Sequence, residues 1–158
     1  MKYLNIDVTK CSGCRMCELA CSFIKEKKIV PNLARINVVA DFGKGLSIPI
    51  VCMQCENAPC INICPTKALS KNFVTGAVIV SNKKCIGCKL CTTVCPYGAI
   101  VFIPEKKYVV KCDLCDGEPT CVKFCCTGAL RYDESIKTKM LKKREVAERM
   151  IQILGEIH

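Results

Sequence analysis

Short apolar runs alternate with polar or glycine-bearing turns through most of this chain. Runs of this length, bounded by turn residues, are typical of β-hairpins. The sequence predicts three hairpins, with paired strands at 35–40 and 46–51, at 73–74 and 77–80, and at 100–103 and 108–110.

The stretch from Ser135 to Ile157 carries a longer, helical pattern, with apolar residues on one face and charged residues opposite. It predicts an amphipathic C-terminal α-helix over 135–158 that packs on its own domain or on a partner subunit. A membrane-surface anchor is the alternative, and the mixture of Glu and Lys without Trp or Phe favours packing. No stretch approaches the roughly twenty apolar residues of a membrane span.

Sixteen of the 17 cysteines fall into four groups. The first and third groups have the spacing C-x2-C-x2-C-x3-C, which is typical of iron–sulfur cluster binding. The second and fourth groups are stretched between their second and third cysteines. Helical turns are predicted from Cys17 to Ile24 and after the third cysteine of each later group. The groups are Cys11, Cys14, Cys17 and Cys21; Cys52, Cys55, Cys60 and Cys64; Cys85, Cys88, Cys91 and Cys95; and Cys112, Cys115, Cys121 and Cys125.

The chain also contains an internal repeat. The segment 6–14 aligns with 80–88, and each has a glycine between its first two cysteines, where a positive φ is useful. A second repeated phrase follows the second, third and fourth groups and leads the chain into the next strand. In the fourth group Cys126 replaces the proline of the other two copies, and this register favours Cys125 over Cys126 as a ligand.

Cubane iron–sulfur clusters require soft, charged sulfur ligands, and four groups supply enough thiolates for four [4Fe–4S] clusters. In two-cluster ferredoxins the fourth cysteine of one group binds the neighbouring cluster. Spacing alone leaves open which groups exchange their fourth cysteines. Lys10, Lys84 and Lys111 each precede the first cysteine of a group. They could donate to cluster sulfurs or raise a cluster's reduction potential, but solvated surface positions are favoured for them.

The formal net charge is +10, from 24 basic and 14 acidic residues. Taken alone, this charge would indicate a nucleic acid or an anionic membrane as a partner. Each oxidised cluster with its four thiolates contributes about −2, which brings the total to about +2. The basic residues are therefore interpreted as compensation for cluster charge, and no nucleic-acid partner is expected. Cysteine-rich composition without an export signal or a membrane span predicts a cytoplasmic protein.

The stretch from Cys11 to Leu130 resembles the four-cluster iron–sulfur subunits of the dimethyl sulfoxide reductase, formate dehydrogenase and hydrogenase-associated ferredoxin group. The phrases that carry this resemblance are 52–60 and 111–115. The resemblance implies an α+β fold of nested ferredoxin-like modules, with an outer module at 1–34 plus 100–134 and an inserted inner module at 35–99. It also implies exchanged fourth ligands. The implied ligand sets are Cys11, Cys14, Cys17 and Cys125; Cys21, Cys112, Cys115 and Cys121; Cys52, Cys55, Cys60 and Cys95; and Cys64, Cys85, Cys88 and Cys91.

The expected function is therefore that of an electron-transfer subunit without a catalytic site of its own. By resemblance, the chain is most like the small subunits of tungsten aldehyde oxidoreductases. Such a subunit relays electrons between a larger tungsten- or molybdenum-pterin subunit and a ferredoxin or a flavin/NAD subunit. Benzoyl-CoA reductase, carbon monoxide dehydrogenase, hydrogenase and formate dehydrogenase complexes are alternatives. A zinc-binding structural module is the alternative from another class, although zinc sites usually use separated C-x2-C pairs.

Overall fold

The computed structural model describes residues 2–133, so the helix predicted over 135–158 lies outside the described residues. The described chain is a small mixed α/β fold of short antiparallel strand pairs and few helices. Its strands are β1 (Tyr3–Ile6), β2 (Ile36–Asp41), β3 (Leu46–Val51), β4 (Leu69–Lys71), β5 (Val78–Val80), β6 (Ile100–Ile103), β7 (Tyr108–Lys111) and β8 (Leu130–Asp133). Its helices are α1 (Met16–Glu26), α2 (Pro59–Asn62), α3 (Leu90–Thr93) and α4 (Thr120–Lys123), with 3-10 turns at Val8–Lys10, Pro31–Leu33 and Leu114–Gly117.

The strands form four separate antiparallel pairs, and three of them join neighbours in the chain. These are β2 with β3, β4 with β5, and β6 with β7. In the fourth pair β1 lies against β8, with Tyr3 opposite Asp133 and Ile6 opposite Leu130. The first strand therefore meets the last described strand, and the remaining elements lie between them in sequence.

Two of the predicted hairpins are confirmed, at β2–β3 and at β6–β7. The prediction for the middle hairpin was wrong in its first strand, which is Leu69–Lys71 and not 73–74. Asn72 explains the difference, because its side-chain oxygen accepts hydrogen bonds from the backbone of Val74 and Thr75, at 2.8 and 3.2 Å. Such a local bond starts a turn, so Phe73 and Val74 project into solvent at its tip.

The helices are built around the cysteine groups. Helix α1 begins after Arg15 and ends before Lys27, both in the left-handed conformation, with φ of 57° each. Helices α2, α3 and α4 have four residues each and contain the third cysteine of their groups. Helix α1 packs against α4, and α2 against α3. Between residues 2 and 133 no helix has the length and apolar character to cross a bilayer.

The buried side chains form two cores. The first contains Cys17, Cys21, Cys112 and Cys121, which come from the first and fourth cysteine groups. The second contains Cys60 and Cys91, from the second and third groups. Hairpin β2–β3 contributes Ile36, Val38 and Val51 to the first core, and hairpin β6–β7 contributes Ile100 and Val109 to the second.

Glu26, the last residue of α1, anchors that helix to two loops. Its side chain is 6% exposed, and its carboxylate forms ion pairs with Arg35, at 2.6 Å, and with Lys106. Burial on its own would raise the pKa of Glu26. The hydrogen bonds and charges of Lys106 and Arg35 outweigh burial, and the pKa is lowered. The ion pairs therefore stabilise the fold at neutral pH, where Glu26 is ionised.

We expect Glu26→Gln to reduce the free energy of unfolding by about 1–3 kcal/mol, because two cations lose their partner. The lowered pKa fixes the pH dependence: the stabilisation is complete above the unfolded pKa of 4.5 and is lost as pH falls through the folded pKa below it. Urea unfolding of the cluster-loaded protein measures the effect. Glu118→Gln is the matched control, since the exposed Glu118–Lys123 pair should contribute too little to move the midpoint. An equal reduction of the free energy of unfolding in both variants would contradict the stabilising role of the Glu26 ion pairs.

Candidate metal centres

Twelve of the sixteen grouped cysteines line three concavities of similar size, about 340, 300 and 320 Å³ including space open to solvent. In each concavity four cysteines face a common space. Three of them come from one group, and the fourth comes from another group. The cysteines of the three concavities are Cys52, Cys55, Cys60 and Cys95; Cys64, Cys85, Cys88 and Cys91; and Cys21, Cys112, Cys115 and Cys121.

The remaining four grouped cysteines surround the N-terminal loop. The charges of Cys11 and Cys14 act on the buried Cys17, which places these three thiols together. Cys11 and Cys125 are partly buried and pack against the first core, which includes Cys17. The first group and the fourth cysteine of the last group therefore contact the same core.

Left-handed backbone turns shape the loops that carry the cysteines. Gly13 and Gly87, between the first two cysteines of their groups, have φ of 72° and 69°, as the repeat predicts. A Cβ atom at Gly87 would lie 2.6 Å from the carbonyl oxygen of Lys107, so no other residue fits there without a shift. Arg15 and Lys89, which follow the second cysteines, adopt φ of 57° and 63°. Non-glycine residues rarely take this conformation, and such positions concentrate at functional sites.

Backbone N–H groups donate hydrogen bonds to the fourth cysteine of three groups. The donors are Arg35 to Cys21 at 3.2 Å, Ala68 to Cys64 at 3.2 Å, and Leu130 to Cys125 at 3.4 Å. Hydrogen bonds of this kind stabilise charged sulfur and tune metal–sulfur centres. The fold thus prepares these sulfurs to act as thiolate ligands.

The buried thiols do not ionise on their own at neutral pH. Burial, together with the charges of neighbouring cysteines and, for Cys17, first of Glu18, raises the pKa of Cys17 and Cys112 to about 12 and that of Cys91 to about 11. The same causes raise the pKa of Cys121 further. Four crowded thiolates become stable only beside a cationic group that they can ligate. Soft sulfur donors around an otherwise apolar space therefore fit an iron–sulfur core.

A single metal ion fits this geometry poorly. Among residues 2–133, no three His, Cys, Asp or Glu side chains converge closely enough to hold one ion. The cysteines instead face one another across the concavities described above.

The seventeenth cysteine, Cys126, lies beside the first group. It is exposed, and its side chain is within hydrogen-bonding reach of the Cys14 sulfur. The Met16 backbone N–H lowers the pKa of Cys14, burial opposes this effect, and hydrogen bonds from Ser12 and Cys126 add to the lowering. Cys126 is therefore a neighbour of a candidate ligand.

The sequence indicated Lys111 as a residue that could tune a cluster but favoured a surface position for it, and it did not indicate Gln54. Lys10 and Lys84 are exposed, as expected, but the surface expectation was wrong for Lys111, which is 5% exposed. The difference arises because Lys111 ends the apolar strand β7, whose residues Val109 and Val110 are also buried. The burial of Lys111 could have been predicted from that apolar run. Gln54, which is 6% exposed, carried no comparable signal.

Comparison with known proteins identifies the domains. The family model of the 4Fe-4S dicluster domain matches residues 44–135, and that of a 4Fe-4S binding domain matches residues 9–24. The polyferredoxin-like subunit of aliphatic sulfonate oxidoreductase from Pyrococcus furiosus is 48% identical over 124 residues, which cover 78% of this chain and 70% of that one. The electron transport protein HydN of Escherichia coli is 36% identical over 175 residues, covering 92% of this chain and 97% of HydN.

Among solved structures, a chain of the active site complex BamBC of benzoyl coenzyme A reductase is similar. It is 30% identical with a TM-score of 0.50, and the match covers 94% of this chain and 90% of that chain. These comparisons agree with the donor chemistry described above: this chain carries multiple [4Fe–4S] clusters.

Proposed function

This chain belongs to the 4Fe-4S dicluster domain family, and on that premise we propose that it is an electron-transfer subunit carrying four [4Fe–4S] clusters. The observation that carries the proposal is the lining of each concavity by four cysteines, three from one group and one from another. A bound cluster supplies one-electron exchange between two oxidation levels. The chain would hold each cluster through four thiolates, and it donates a backbone hydrogen bond to one proposed ligand sulfur in each of clusters 1, 2 and 4. It has no catalytic role of its own in this proposal.

The proposed ligand sets follow the exchange of fourth cysteines. Three of them correspond to the three concavities, and the fourth rests on the contacts around Cys17. The sets are Cys11, Cys14, Cys17 and Cys125 for cluster 1; Cys21, Cys112, Cys115 and Cys121 for cluster 2; Cys52, Cys55, Cys60 and Cys95 for cluster 3; and Cys64, Cys85, Cys88 and Cys91 for cluster 4.

The proposed organisation is nested, with an outer ferredoxin-like module at 1–34 plus 100–134 around an inner module at 35–99. The pairing of β1 with β8 and the packing of α1 on α4 support the outer module. The packing of α2 on α3 supports the inner one. Hairpin β2–β3 belongs to the inner module but packs into the first core, and hairpin β6–β7 belongs to the outer module but packs into the second. The two proposed modules therefore share part of their packing.

The proposed partner is a larger catalytic redox subunit, with a tungsten- or molybdenum-pterin enzyme favoured by family resemblance. The names of the relatives support an oxidoreductase complex: one is a subunit of a sulfonate oxidoreductase, and another is a chain of a benzoyl coenzyme A reductase complex. A ferredoxin or a flavin/NAD subunit completes the proposed electron path. A reducing cytoplasm suits this set of thiolates. Membership of a benzoyl-CoA reductase complex is the second candidate, because the match to that chain covers 94% of this one.

Metal and sulfide analysis of the protein purified without oxygen tests the proposed cofactors. We expect roughly sixteen irons and as many acid-labile sulfides per chain, with a broad visible absorption. About four zinc ions per chain without visible absorption would refute the proposal and restore the structural zinc module. Tungsten and molybdenum analysis of the co-purifying complex tests the partner. Recovery of this chain as a stable monomer with all of its clusters would refute the proposed partner but not the proposed clusters.

The adjacent Cys125 and Cys126 provide a sharp test of cluster 1. Cys125 has the surroundings of Cys64 in the repeat, because each sulfur accepts a backbone hydrogen bond and lies 3.7 Å from the hydroxyl of a threonine two residues later. We therefore expect Cys125→Ser to lose about four irons per chain and Cys126→Ser to keep all of about sixteen. Iron analysis of both variants measures this, each serving as the other's control. The reverse result would make Cys126 the ligand.

A further inference from the structure

Lys111 is a buried cation without a carboxylate partner among the described residues. Its ammonium group donates hydrogen bonds to backbone oxygens of Val78 and of Cys112, the latter at 2.9 Å, and to the Gln54 side chain at 3.3 Å. Lysines are almost never fully buried unless they are paired with a negative charge. A negative charge from a source other than an acidic side chain of the described residues would therefore stabilise the Lys111 ammonium group.

Gln54 fixes Lys111 between two cysteine groups. Its side-chain amide donates to the carbonyl oxygen of Cys112 at 2.8 Å, and its oxygen accepts from the backbone of Val78 at 2.8 Å as well as from Lys111. Gln54 belongs to the loop of the second group, between Cys52 and Cys55, whereas Cys112 begins the fourth group. The pair thus forms a buried polar bridge between the proposed sites of clusters 3 and 2.

The ammonium group of Lys111 lies beside both sites. It is 2.9 Å from the carbonyl oxygen of Cys112 and 3.3 Å from the side-chain oxygen of Gln54, which stands between Cys52 and Cys55 in the chain. Cys52 and Cys55 line the concavity of cluster 3, and Cys112 lines that of cluster 2. One ammonium group is therefore close enough to act electrostatically on two proposed clusters.

We propose that the charge of Lys111, which Gln54 holds in position, raises the reduction potentials of clusters 2 and 3 at the junction between the two proposed modules. This inference rests on the proposed function. Each loaded site carries about −2 before reduction and becomes more negative when it accepts an electron. A buried cation between the two sites stabilises the reduced form of both. The clusters in turn supply the negative charge that Lys111 otherwise lacks.

Potentiometric titration of the cluster-loaded protein, followed by EPR, tests the inference in Lys111→Met and Lys111→Gln. Both variants remove the charge, and the glutamine retains a donor for the carbonyl oxygens. We expect two of the four clusters to become harder to reduce by on the order of tenfold in the one-electron equilibrium constant, or about 59 mV each. The other two clusters should keep their potentials. Lys84→Met is the matched control, because Lys84 also precedes a first cysteine but is exposed.

The outcomes separate this inference from the function on which it rests. A wild-type protein without about sixteen irons refutes the proposed function itself. A wild-type protein with its full iron content, together with unchanged potentials in both neutral variants, overturns only the role of Lys111. Loss of iron from both neutral variants also overturns it, because Lys111 would then be a structural residue. Equal shifts in Lys84→Met would assign the effect to net charge.

Discussion

Removal of the iron–sulfur clusters is expected to unfold the chain. Three of the four described helices have four residues each, and each sheet formed by residues 2–133 has two strands. Helices and hairpins of this size are not stable alone in water. Among the 24 buried apolar residues of the described chain, six are cysteines and six are alanines, so the core has little apolar bulk. The clusters must therefore contribute much of the folding free energy.

The size of the effect follows from other proteins that fold around metal. Structural zinc contributes about 10–16 kcal/mol to small metal-dependent domains, whereas whole domains are stable by about 5–15 kcal/mol. The free energy lost with four clusters therefore exceeds the free energy that the remaining packing can supply. The removal also leaves buried thiols such as Cys112, whose pKa is raised mainly by burial and further by the charges of nearby cysteines.

The measurement is far-UV circular dichroism of the protein before and after anaerobic extraction of iron with a chelator. A thiol reductant is kept in both samples, so that disulfide formation does not cause the change. We expect loss of the secondary-structure signal and of any cooperative unfolding transition, with recovery after iron and sulfide are returned. An iron-free chain with an unchanged spectrum and a sharp thermal transition would contradict this account.

Much of the local structure was predictable because it follows from short-range sequence rules. The hairpins β2–β3 and β6–β7 were found from apolar runs bounded by turns, and Gly13 and Gly87 have the positive φ that the repeat implies. The middle hairpin was misplaced because Asn72 starts its turn through side-chain hydrogen bonds. A turn set by one polar side chain does not show in the hydrophobic pattern.

Contacts between residues that are distant in the chain were harder to predict from the sequence. The burial of Lys111 depends on Gln54 and Val78, which lie 57 and 33 residues away in the chain. Spacing identified the four cysteine groups but not how they exchange their fourth members. The resemblance to a family supplied a pairing, and the concavities bring the same cysteines together for three of the four sets. The assignment of these sets as ligands stays a prediction.

Exchange of the fourth cysteines predicts which double substitutions lose iron together. Cys95 belongs to the third group in sequence but lines the concavity of Cys52, Cys55 and Cys60. We expect Cys95→Ala to lose one cluster, leaving about twelve irons per chain. Adding Cys52→Ala should cost no further iron, because both residues would serve the same cluster. Adding Cys85→Ala should instead leave about eight irons, because Cys85 would serve another cluster.

Cys64 provides the reciprocal control, because it belongs to the second group but lines the concavity of Cys85, Cys88 and Cys91. Cys64→Ala combined with Cys85→Ala should leave about twelve irons, and combined with Cys52→Ala about eight. Ligands confined to their own groups would give the opposite result in all four double variants. Since every variant removes the same type of side chain, a general loss of stability would not reproduce this alternation. The iron count of the double variants therefore decides between exchanged and separate groups.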